Sequence, residues 1–420
     1  MSTAFIKNRK SLLRSLPYDI RRRRKVLFDI ADSVLHHMRP EYLFKSRFTL
    51  PALAPFDRIV VFSIGKAAKS LASAVIKNMP RKPDNVYFAD TGHPLPTPAG
   101  VQKTKRIISA ARSLGSRDLA VICLSGGGSS MLVCPVSEIS LEEKISLTQA
   151  LLKSGATIQE MNIVRKHLSQ IKGGRLAALL YPATVWGFVI SDVPGNDLST
   201  IASGPISPDS STFVDAQKIL KKYKIAASAG IKKYFEKGEK EKNLETPKPG
   251  EKYFTRVKVE ILADHRTAAQ CAAKTTKKLG ISTIVLPRLL TGECAQEAKK
   301  FVKKAQKGHL IIACGETTVT ARAGGNGGRN QEFALSALPC LRPNQTLLTL
   351  ATDGVDGICP ESIAGIIADE KTIDDARRKK LDVKKYLQQH DSYSFFKSAG
   401  GQLKTGRTGT NLGDVVMILS

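Results

Sequence analysis

The sequence predicts an α/β protein built from two three-layer α/β/α domains whose sheets are mostly parallel or mixed. Short runs of consecutive apolar residues, such as 119–124 and 184–190, alternate along the chain with amphipathic stretches of helical spacing. This alternation is typical of strands that are buried on both faces and covered by helices. The length of 420 residues leaves room for two complete hydrophobic cores.

The elements of the first half follow this alternation in order. Residues 8–40 carry apolar residues at helical spacing, with the basic run 21–24 on the exposed side of the predicted helix. Capping boxes open two further helices at Ser140 and Thr157, and the second helix is expected to end at Gly173-Gly174. The predicted strands are 58–64, 119–124 and 184–190, and a predicted helix at 67–77 follows the first of them.

A polar and charged segment with two prolines, residues 237–254, is the predicted linker. It divides the chain into an N-terminal domain, residues 1–236, and a C-terminal domain, residues 255–420. In the second domain the alternation resumes, with helices predicted at 267–279 and 293–306. The strands predicted there are 257–263, 282–287, 309–314, 319–322, 346–351 and 415–419.

The composition argues against several classes of protein. The chain has no apolar run of the roughly 18 residues that a membrane span needs, and its N-terminal region lacks the apolar core of a signal peptide. Seven scattered cysteines, none in a C-x-x-C pair, indicate reduced thiols rather than disulfides or a zinc site. We therefore expect a cytoplasmic protein without a membrane partner. A mitochondrial presequence is the alternative, because residues 1–17 lack acidic side chains.

The formal net charge of +28 has two explanations. A nucleic-acid-binding protein concentrates such charge on one surface, whereas lysines on solvated helix faces spread it along the chain. The lysines here are scattered and aromatic residues make up only 6% of the chain, so nucleic acid is not expected as a partner. A positive field still favours small anionic substrates.

Residues 125–130 read Ser-Gly-Gly-Gly-Ser-Ser and directly follow the predicted strand 119–124. Glycines let backbone N–H groups approach an anion closely, so this turn is a candidate phosphate-binding loop. Its candidate ligands are Ser125, Gly126, Gly127, Gly128, Ser129 and Ser130. Lys66 stands where another strand meets a helix, a position that suits binding of a phosphate or a carboxylate. His93 is a further candidate, although a histidine in a loop is usually a polar surface group.

Other turns carry candidate residues for metal and phosphate chemistry. Asp192 ends a predicted strand and is a candidate Mg²⁺ ligand or proton acceptor. In the second domain, Arg329 begins a helix after a glycine-rich segment, which is typical of an anion site. The other candidate ligands there are Gly327, Gly328 and Asn330. Glu316 and Asp353 each lie at a strand end and complete the candidate metal ligands.

These and several neighbouring motifs follow one another along the chain at long spacings. They are Ser-Ile-Gly-Lys-Ala (63–67), Thr-Gly-His-Pro-x-Pro (91–96), Leu-Ser-Gly-Gly-Gly-Ser-Ser (124–130), Asn-x-Val-Arg-Lys-His-Leu-Ser-x-x-Lys-Gly-Gly-x-Leu-Ala (162–177), Ser-Asp-Val-Pro-Gly (191–195), Ala-Ser-Gly-Pro (202–205), Gly-Glu-Thr-Thr-Val (315–319), Gly-Gly-Arg-Asn-Gln-Glu (327–332) and Thr-Asp-Gly-x-Asp-Gly (352–357). The series closely resembles the MOFRL-type glycerate 2-kinases, members of which were once labelled hydroxypyruvate reductases.

The resemblance implies phosphorylation of D-glycerate at its 2-hydroxyl, giving 2-phosphoglycerate, with ATP and Mg²⁺. It also implies two α/β domains with the active site in the cleft between them. The active-site lysine and arginine of the family match Lys66 and Arg329, which with Asp192 form the expected catalytic set. Which glycine-rich loop holds ATP, and which carboxylate is the base, stays open at this point. We expect a monomer or a homodimer.

The chain departs from the family pattern in three places, namely Asn196, the segment 263–266 and Cys359. These departures concern the metal ligands and the substrate preference rather than the fold. The alternative activities are reduction of hydroxypyruvate and phosphorylation of a related small hydroxyacid. A reductase is disfavoured because the dinucleotide fingerprint is broken at Met131 and no complete P-loop is present either.

Overall fold

A computed structural model describes residues 4–47, 56–320 and 324–420. The chain folds into two compact units, one formed by residues 1–43 together with 263–420 and the other by residues 44–262. This division differs from the predicted domains 1–236 and 255–420. The segment predicted as a linker, 237–254, lies inside the second unit. Residues 1–43 join the C-terminal part because their amphipathic helix buries its apolar face against elements of that part.

The strands of the described chain are β1 Ile59–Ile64, β2 Asn85–Ala89, β3 Leu119–Leu124, β4 Thr184–Ile190, β5 Val257–Ala263, β6 Thr283–Val285, β7 Leu290–Glu293, β8 Leu310–Thr318, β9 Thr346–Ala351, β10 Gly365–Ala368, β11 Gln402–Leu403 and β12 Asp414–Leu419. The helices are α1 Arg9–Leu13, α2 Tyr18–His37, α3 Pro40–Arg47, α4 Ala68–Lys77, α5 Pro98–Arg112, α6 Gly128–Met131, α7 Leu141–Lys153, α8 Ile158–His167, α9 Arg175–Leu180, α10 Phe213–Lys222, α11 Ala229–Lys240, α12 His265–Lys278, α13 Cys294–Val302, α14 Arg329–Ala337, α15 Glu370–Arg378, α16 Val383–Gln388 and α17 Ser392–Ala399. In the described part of the chain, none of these helices has both the length and the apolar character needed to cross a bilayer.

The unit of residues 44–262 contains a sheet in the order β2-β1-β3-β4-β5. The pairs β1–β2, β1–β3 and β3–β4 are parallel. Every residue of β1 and β3 is buried, and since successive side chains point to opposite faces, helices cover both faces of the sheet. The carboxyl ends of β1, β3 and β4 therefore lie side by side at one edge, where ligands bind in sheets of this kind.

The other unit contains a mixed sheet in the order β11-β10-β9-β12-β8-β6, with β7 paired to β8. Strand β12 runs antiparallel to both β8 and β9, whereas β6 and β7 run parallel to β8. The α/β class with parallel and mixed sheets is thus confirmed. The strand predicted at 319–322 is not found, because β8 ends at Thr318, residues 319–320 are irregular and 321–322 lie outside the described residues.

Both predicted capping boxes are present, at Ser140 and at Thr157. The prediction that Gly173-Gly174 ends the second helix is wrong, because α8 already ends at His167. The chain leaves the helix so that the N–H groups of Gly173 and Gly174 donate to the carbonyls of residues 203 and 204, at 3.0 and 2.7 Å. Gly174, with a φ of +81°, then precedes the first residue of α9.

The basic run 21–24 is only partly on the exposed side of its helix. Arg24 is buried and donates from Nε and Nη2 to the two carboxylate oxygens of Asp369, each at 2.7 Å. Arg23 pairs with Glu370 at 2.5 Å. These ion pairs join α2 to the start of α15. Two of the four arginines that were predicted to face solvent are therefore paired within the fold.

Lys144 is a buried lysine of α7, and its Nζ donates to Leu168 O, just after the end of α8, at 2.6 Å. Burial, reinforced by the positive charge of Arg165, lowers the pKa of Lys144 to about 7. Between about pH 7 and 10 the folded chain therefore binds fewer protons than the unfolded chain, so this residue makes stability rise with pH.

Relative to the Lys144→Met variant, we expect the wild type to gain up to about 1.4 kcal/mol of unfolding free energy per pH unit above 7. Urea unfolding of both proteins from pH 6 to 9 measures this, and curves that stay parallel throughout would contradict it.

Candidate active site

Hydrogen bonds join the turns that follow β1 and β3. The hydroxyl of Ser125 donates to Ile64 O at 3.1 Å and accepts from the N–H of Ala67 at 3.0 Å. The N–H of Lys66 donates to Gly126 O at 2.8 Å. These contacts fix the glycine loop, residues 125–130, against the start of α4. Both hydrogen-bonding roles of the Ser125 hydroxyl are therefore used within the fold, although Ser125 is one of the predicted phosphate ligands.

Two basic side chains contact the glycine loop at Gly127, which has a φ of +81°. A Cβ atom added there would lie 3.2 Å from Cγ of Lys66 and 3.3 Å from Nδ1 of His93. Nδ1 of His93 also lies 3.3 Å from Oγ of Ser130. Lys66 and His93 are exposed and follow the ends of β1 and β2. The structure thus brings the predicted lysine and the predicted loop together, and adds His93 to them.

The opposite end of the glycine loop is held by two further cations. Nζ of Lys172 donates to Ser129 O at 2.8 Å and to Ala202 O at 3.3 Å. Nη2 of Arg165 donates to the same Ser129 carbonyl at 3.1 Å. Lys172 is fully buried, and burial together with the charges of Arg165 and Lys144 lowers its pKa well below the ordinary value. These contacts tie the glycine loop to the segment that follows α8.

The turn at residues 202–204 packs against the glycine loop. All three residues have positive φ, at +52°, +62° and +62°, a conformation that costs on the order of 1–3 kcal/mol for a residue other than glycine. The hydroxyl of Ser203 lies 2.9 Å from that of Ser129 and donates to Asn162 Oδ1 at 3.0 Å. Backbone strain of this kind clusters at functional sites, which fits the position of the turn beside the loop.

Asp192 follows β4 after one intervening residue and is half-buried. Since β4 is the parallel neighbour of β3, Asp192 lies at the same edge of the sheet as the glycine loop. This position suits the proton acceptor that Asp192 is predicted to be.

Arg329, at the start of α14, is bound by two carboxylates of its own unit. Nε and Nη2 donate to Asp414 at 2.6 and 3.1 Å, and Nη1 donates to Glu316 at 2.5 Å. Burial opposes the charge of Arg329, but Asp414 and Glu316 outweigh this and raise its pKa. The guanidinium fork is therefore engaged with protein carboxylates, and Glu316 is one partner of this ion pair.

The N-terminus of α14 is occupied by the carboxylate of Asp356. It accepts from the backbone N–H groups of Asn330 and Gln331 at 3.0 and 2.9 Å. A Cβ atom on Gly328 would lie 2.3 Å from the backbone of Asp356, so glycine is required there. Burial raises the pKa of Asp356 to about 6. The anion site predicted at Gly327, Gly328 and Asn330 is thus filled by a carboxylate of the chain itself.

The predicted metal ligands are divided between the two units. Asp192 belongs to the unit of residues 44–262, whereas Glu316 and Asp353 belong to the other unit. Oδ1 of Asp353 accepts from the N–H of Val355 at 3.0 Å, which closes a tight turn. Among the described residues, no three histidine, cysteine or carboxylate side chains are arranged to hold a metal ion. The assignment of these three residues to a metal stays a prediction.

Four residues of these two clusters were not among the predicted site residues, namely Arg165, Lys172, Asp356 and Asp414. A signal existed for each pair. Arg165 and Lys172 both lie within the motif 162–177, and Asp414 is a single acid at the start of the apolar strand β12. Asp356 lies in the same turn as Asp353, and sequence spacing alone did not distinguish the two.

Comparison with known proteins places these clusters in a family. Residues 26–236 match a family model described as a domain of unknown function, DUF4147, and residues 309–414 match the MOFRL family. The chain is 36% identical to the D-glycerate 2-kinase of Thermotoga maritima, with 94% of this chain and 97% of that protein covered. The chain belongs to the MOFRL-type glycerate kinase family. The resemblance inferred from the motifs is therefore confirmed.

Two further relatives agree with this family membership. The glycerate 2-kinase of Pyrococcus horikoshii is 34% identical, with 86% of this chain and 87% of that protein covered. A crystal structure of the glycerate kinase of Thermotoga maritima superposes with a TM-score of 0.79 at 34% identity, covering 94% of this chain and 98% of that chain. The MOFRL-type fold therefore extends over nearly the whole chain.

Proposed function

We propose that the protein transfers the γ-phosphoryl group of ATP to the 2-hydroxyl of D-glycerate, producing 2-phosphoglycerate and ADP. The names of its relatives support this reaction. The observation that carries the proposal is the contact of Lys66 with the glycine loop at the carboxyl ends of β1 and β3. A lysine beside glycine-rich backbone at that edge is suited to a phosphate.

Within this mechanism, Lys66 neutralises charge on the phosphoryl group as it moves between oxygens. The reaction demands mainly positioning and charge stabilisation, because the transferred group carries its negative charge on three oxygens. The N–H groups of the glycine loop act in the same sense. Asp192, at the end of the strand next to the loop, accepts the proton that the 2-hydroxyl loses.

The family implies Mg²⁺, and the residues present fit an ion that arrives with the nucleotide. Mg²⁺ in such enzymes is bound by one or two carboxylates together with the substrate phosphates, so the absence of a three-residue cluster among the described residues agrees with this role. Glu316 and Asp353 are the proposed protein ligands, and Asp192, which the sequence predicts for either role, serves in this mechanism as the proton acceptor. When bound, Mg²⁺ supplies charge neutralisation on the phosphates.

Incubation of the purified protein with ATP, Mg²⁺ and D-glycerate, followed by phosphorus NMR, tests the reaction. A 2-phosphoglycerate signal is the expected result. A 3-phosphoglycerate signal would keep the kinase and overturn the position of transfer. The absence of any phosphorylated product with D-glycerate, while ATP hydrolysis or transfer to another hydroxyacid is seen, would overturn the substrate. L-glycerate serves as the control for stereochemistry.

The structure gives no support to hydroxypyruvate reduction. The glycine loop leads into α6, which spans only Gly128–Met131, whereas a dinucleotide site places the pyrophosphate at the start of a full helix. An assay of NADH oxidation with hydroxypyruvate is expected to show no turnover.

Gly128→Ala is expected to damage the glycine loop. The added methyl group would lie 2.8 Å from Cβ of Ala202 and 3.2 Å from Cγ2 of Ile64, so the loop must move. Overpacking of this kind costs about 1–3 kcal/mol of stability, and a displacement near 1 Å at a reacting site costs about 100-fold in rate. Gly115→Ala is the matched control, because its new methyl would meet only Asp118 Oδ2, at 3.8 Å. If the two variants phosphorylate D-glycerate equally well, the loop does not position substrate.

A further inference from the structure

Arg165 is a largely buried cation to which the described part of the chain offers no carboxylate partner. It lies in the last turn of α8, and its guanidinium donates one hydrogen bond, from Nη2 to Ser129 O at 3.1 Å. Burial lowers its pKa to about 10. A buried charge without a counter-charge is costly, and the favourable position of a cation at a helix C-terminus offsets only part of that cost. A ligand that brings a negative charge would offset the remainder.

Neutral polar groups surround the same end of the glycine loop. The hydroxyl groups of Ser129 and Ser203 lie 2.9 Å apart, and Ser203 donates in turn to Asn162 Oδ1 at 3.0 Å. Such hydroxyl groups both donate and accept, so they suit a ligand that carries hydroxyls of its own. Lys66, in contrast, contacts the loop at Gly127. The two ends of one loop therefore offer different chemistry, a compact ammonium at Gly127 and a planar guanidinium with hydroxyls at Ser129.

We propose that Arg165 binds the carboxylate of the hydroxyacid substrate, and that the half-buried hydroxyl of Ser129, held in place by the fully buried Ser203, orients a hydroxyl group of the substrate. This assignment rests on the proposed function, because it identifies the acceptor site of that reaction. A guanidinium fork matches a carboxylate with two parallel hydrogen bonds, a geometry that a lysine cannot supply. Lys172 acts as a positioning residue, because its two hydrogen bonds hold the carbonyls of Ser129 and Ala202 beside each other.

Steady-state kinetics of Arg165→Gln and Arg165→Lys test the assignment. Removing one partner of a desolvated charge pair typically weakens binding about 30-fold or more, so we expect the KM for D-glycerate to rise by that factor in Arg165→Gln. Arg165→Lys should show a smaller rise, and the KM for ATP should stay within about threefold. Arg175→Gln is the matched control, since it removes another half-buried arginine of the same segment, one that donates to Leu244 O. An unchanged KM for D-glycerate, or a rise confined to ATP, would overturn the assignment.

Binding measurements distinguish this inference from the proposed function. Calorimetric titration of D-glycerate in the presence of ADP and Mg²⁺ reports binding without turnover. Binding to the wild type that is weakened in Arg165→Gln supports the inference even if no phosphorylation is found, whereas equal binding rejects it. A wild type that does not bind D-glycerate rejects both proposals. A melting curve of each variant identifies any variant that does not fold. If Arg165→Gln does not fold, the affinity of Arg165→Lys for D-glycerate, compared with that of the wild type, tests the assignment.

Discussion

Lys66→Ala is expected to lower kcat/KM for phosphorylation of D-glycerate by about 10³-fold, because the charge that it places beside the moving phosphoryl group is lost. The fold should be unaffected, since the Lys66 side chain is exposed and exposed substitutions usually change stability by less than about 0.5 kcal/mol. Steady-state kinetics and urea unfolding of the same preparation measure the two effects.

Lys69→Ala is the matched control for this variant. Lys69 lies one turn further along α4, and 82% of its side chain is exposed. We expect it to keep wild-type turnover. Near-normal turnover of Lys66→Ala would remove Lys66 from the mechanism, whereas equal losses in both variants would point to the general positive field of this surface rather than to one residue.

Arg329→Met is expected to lower the free energy of unfolding by up to about 3–5 kcal/mol, the cost of removing one partner of a fully buried ion pair, because Arg329 itself is half-buried. The Asp414 side chain, only 5% exposed, would lose its cation. The repulsion between the carboxylates of Asp414 and Asp356 would then no longer be offset by the positive charge of Arg329. The loss should shrink at pH 5, where Asp356, whose pKa is about 6, has taken up a proton. Urea unfolding at pH 5 and pH 7 measures both values.

A double variant separates the ion pair from a role in substrate binding. Adding Asp414→Asn to Arg329→Met removes the orphaned charge, so the double variant should lose less stability than the two single losses summed. If Arg329→Met keeps wild-type stability and yet loses activity, Arg329 contacts substrate, as the family resemblance implies. A large loss of stability would instead identify it chiefly as the cation that holds its own unit together.

Much of the fold was predictable because burial on both faces leaves a local signature. The predicted strands 119–124, 184–190, 257–263 and 346–351 coincide with β3, β4, β5 and β9. Strand β2 was missed because it is only five residues long and begins with the exposed Asn85, and its other residues are mostly half-buried. Strand direction was not predictable in the same way, because β12 is buried on both faces like a parallel strand and yet runs antiparallel to its neighbours.

Sequence patterns could not predict which distant segments of the chain contact one another. The apolar face of α2 was evident, but the pattern does not show which surface covers it, and so the two compact units differ from the predicted domains. At the site, the glycine loop and Lys66 were predictable because their chemistry is local. Asp414, the partner of Arg329, lies 85 residues away along the chain. Only the folded structure shows that this carboxylate binds the guanidinium group.

The interrupted course of the unit formed by residues 1–43 and 263–420 has a consequence for biosynthesis. On the ribosome, α2 emerges more than 200 residues before the strands that cover its apolar face, at a synthesis rate of about 5–20 residues per second. For at least roughly ten seconds the leucines and the phenylalanine on the apolar face of α2 have no native partner. During that time all strands of the sheet of residues 44–262 have been synthesised, so that unit can fold. The nascent chain should therefore depend on chaperones chiefly through α2, and a permuted gene that begins near residue 44 and appends residues 1–43 after residue 420 should shorten that exposure.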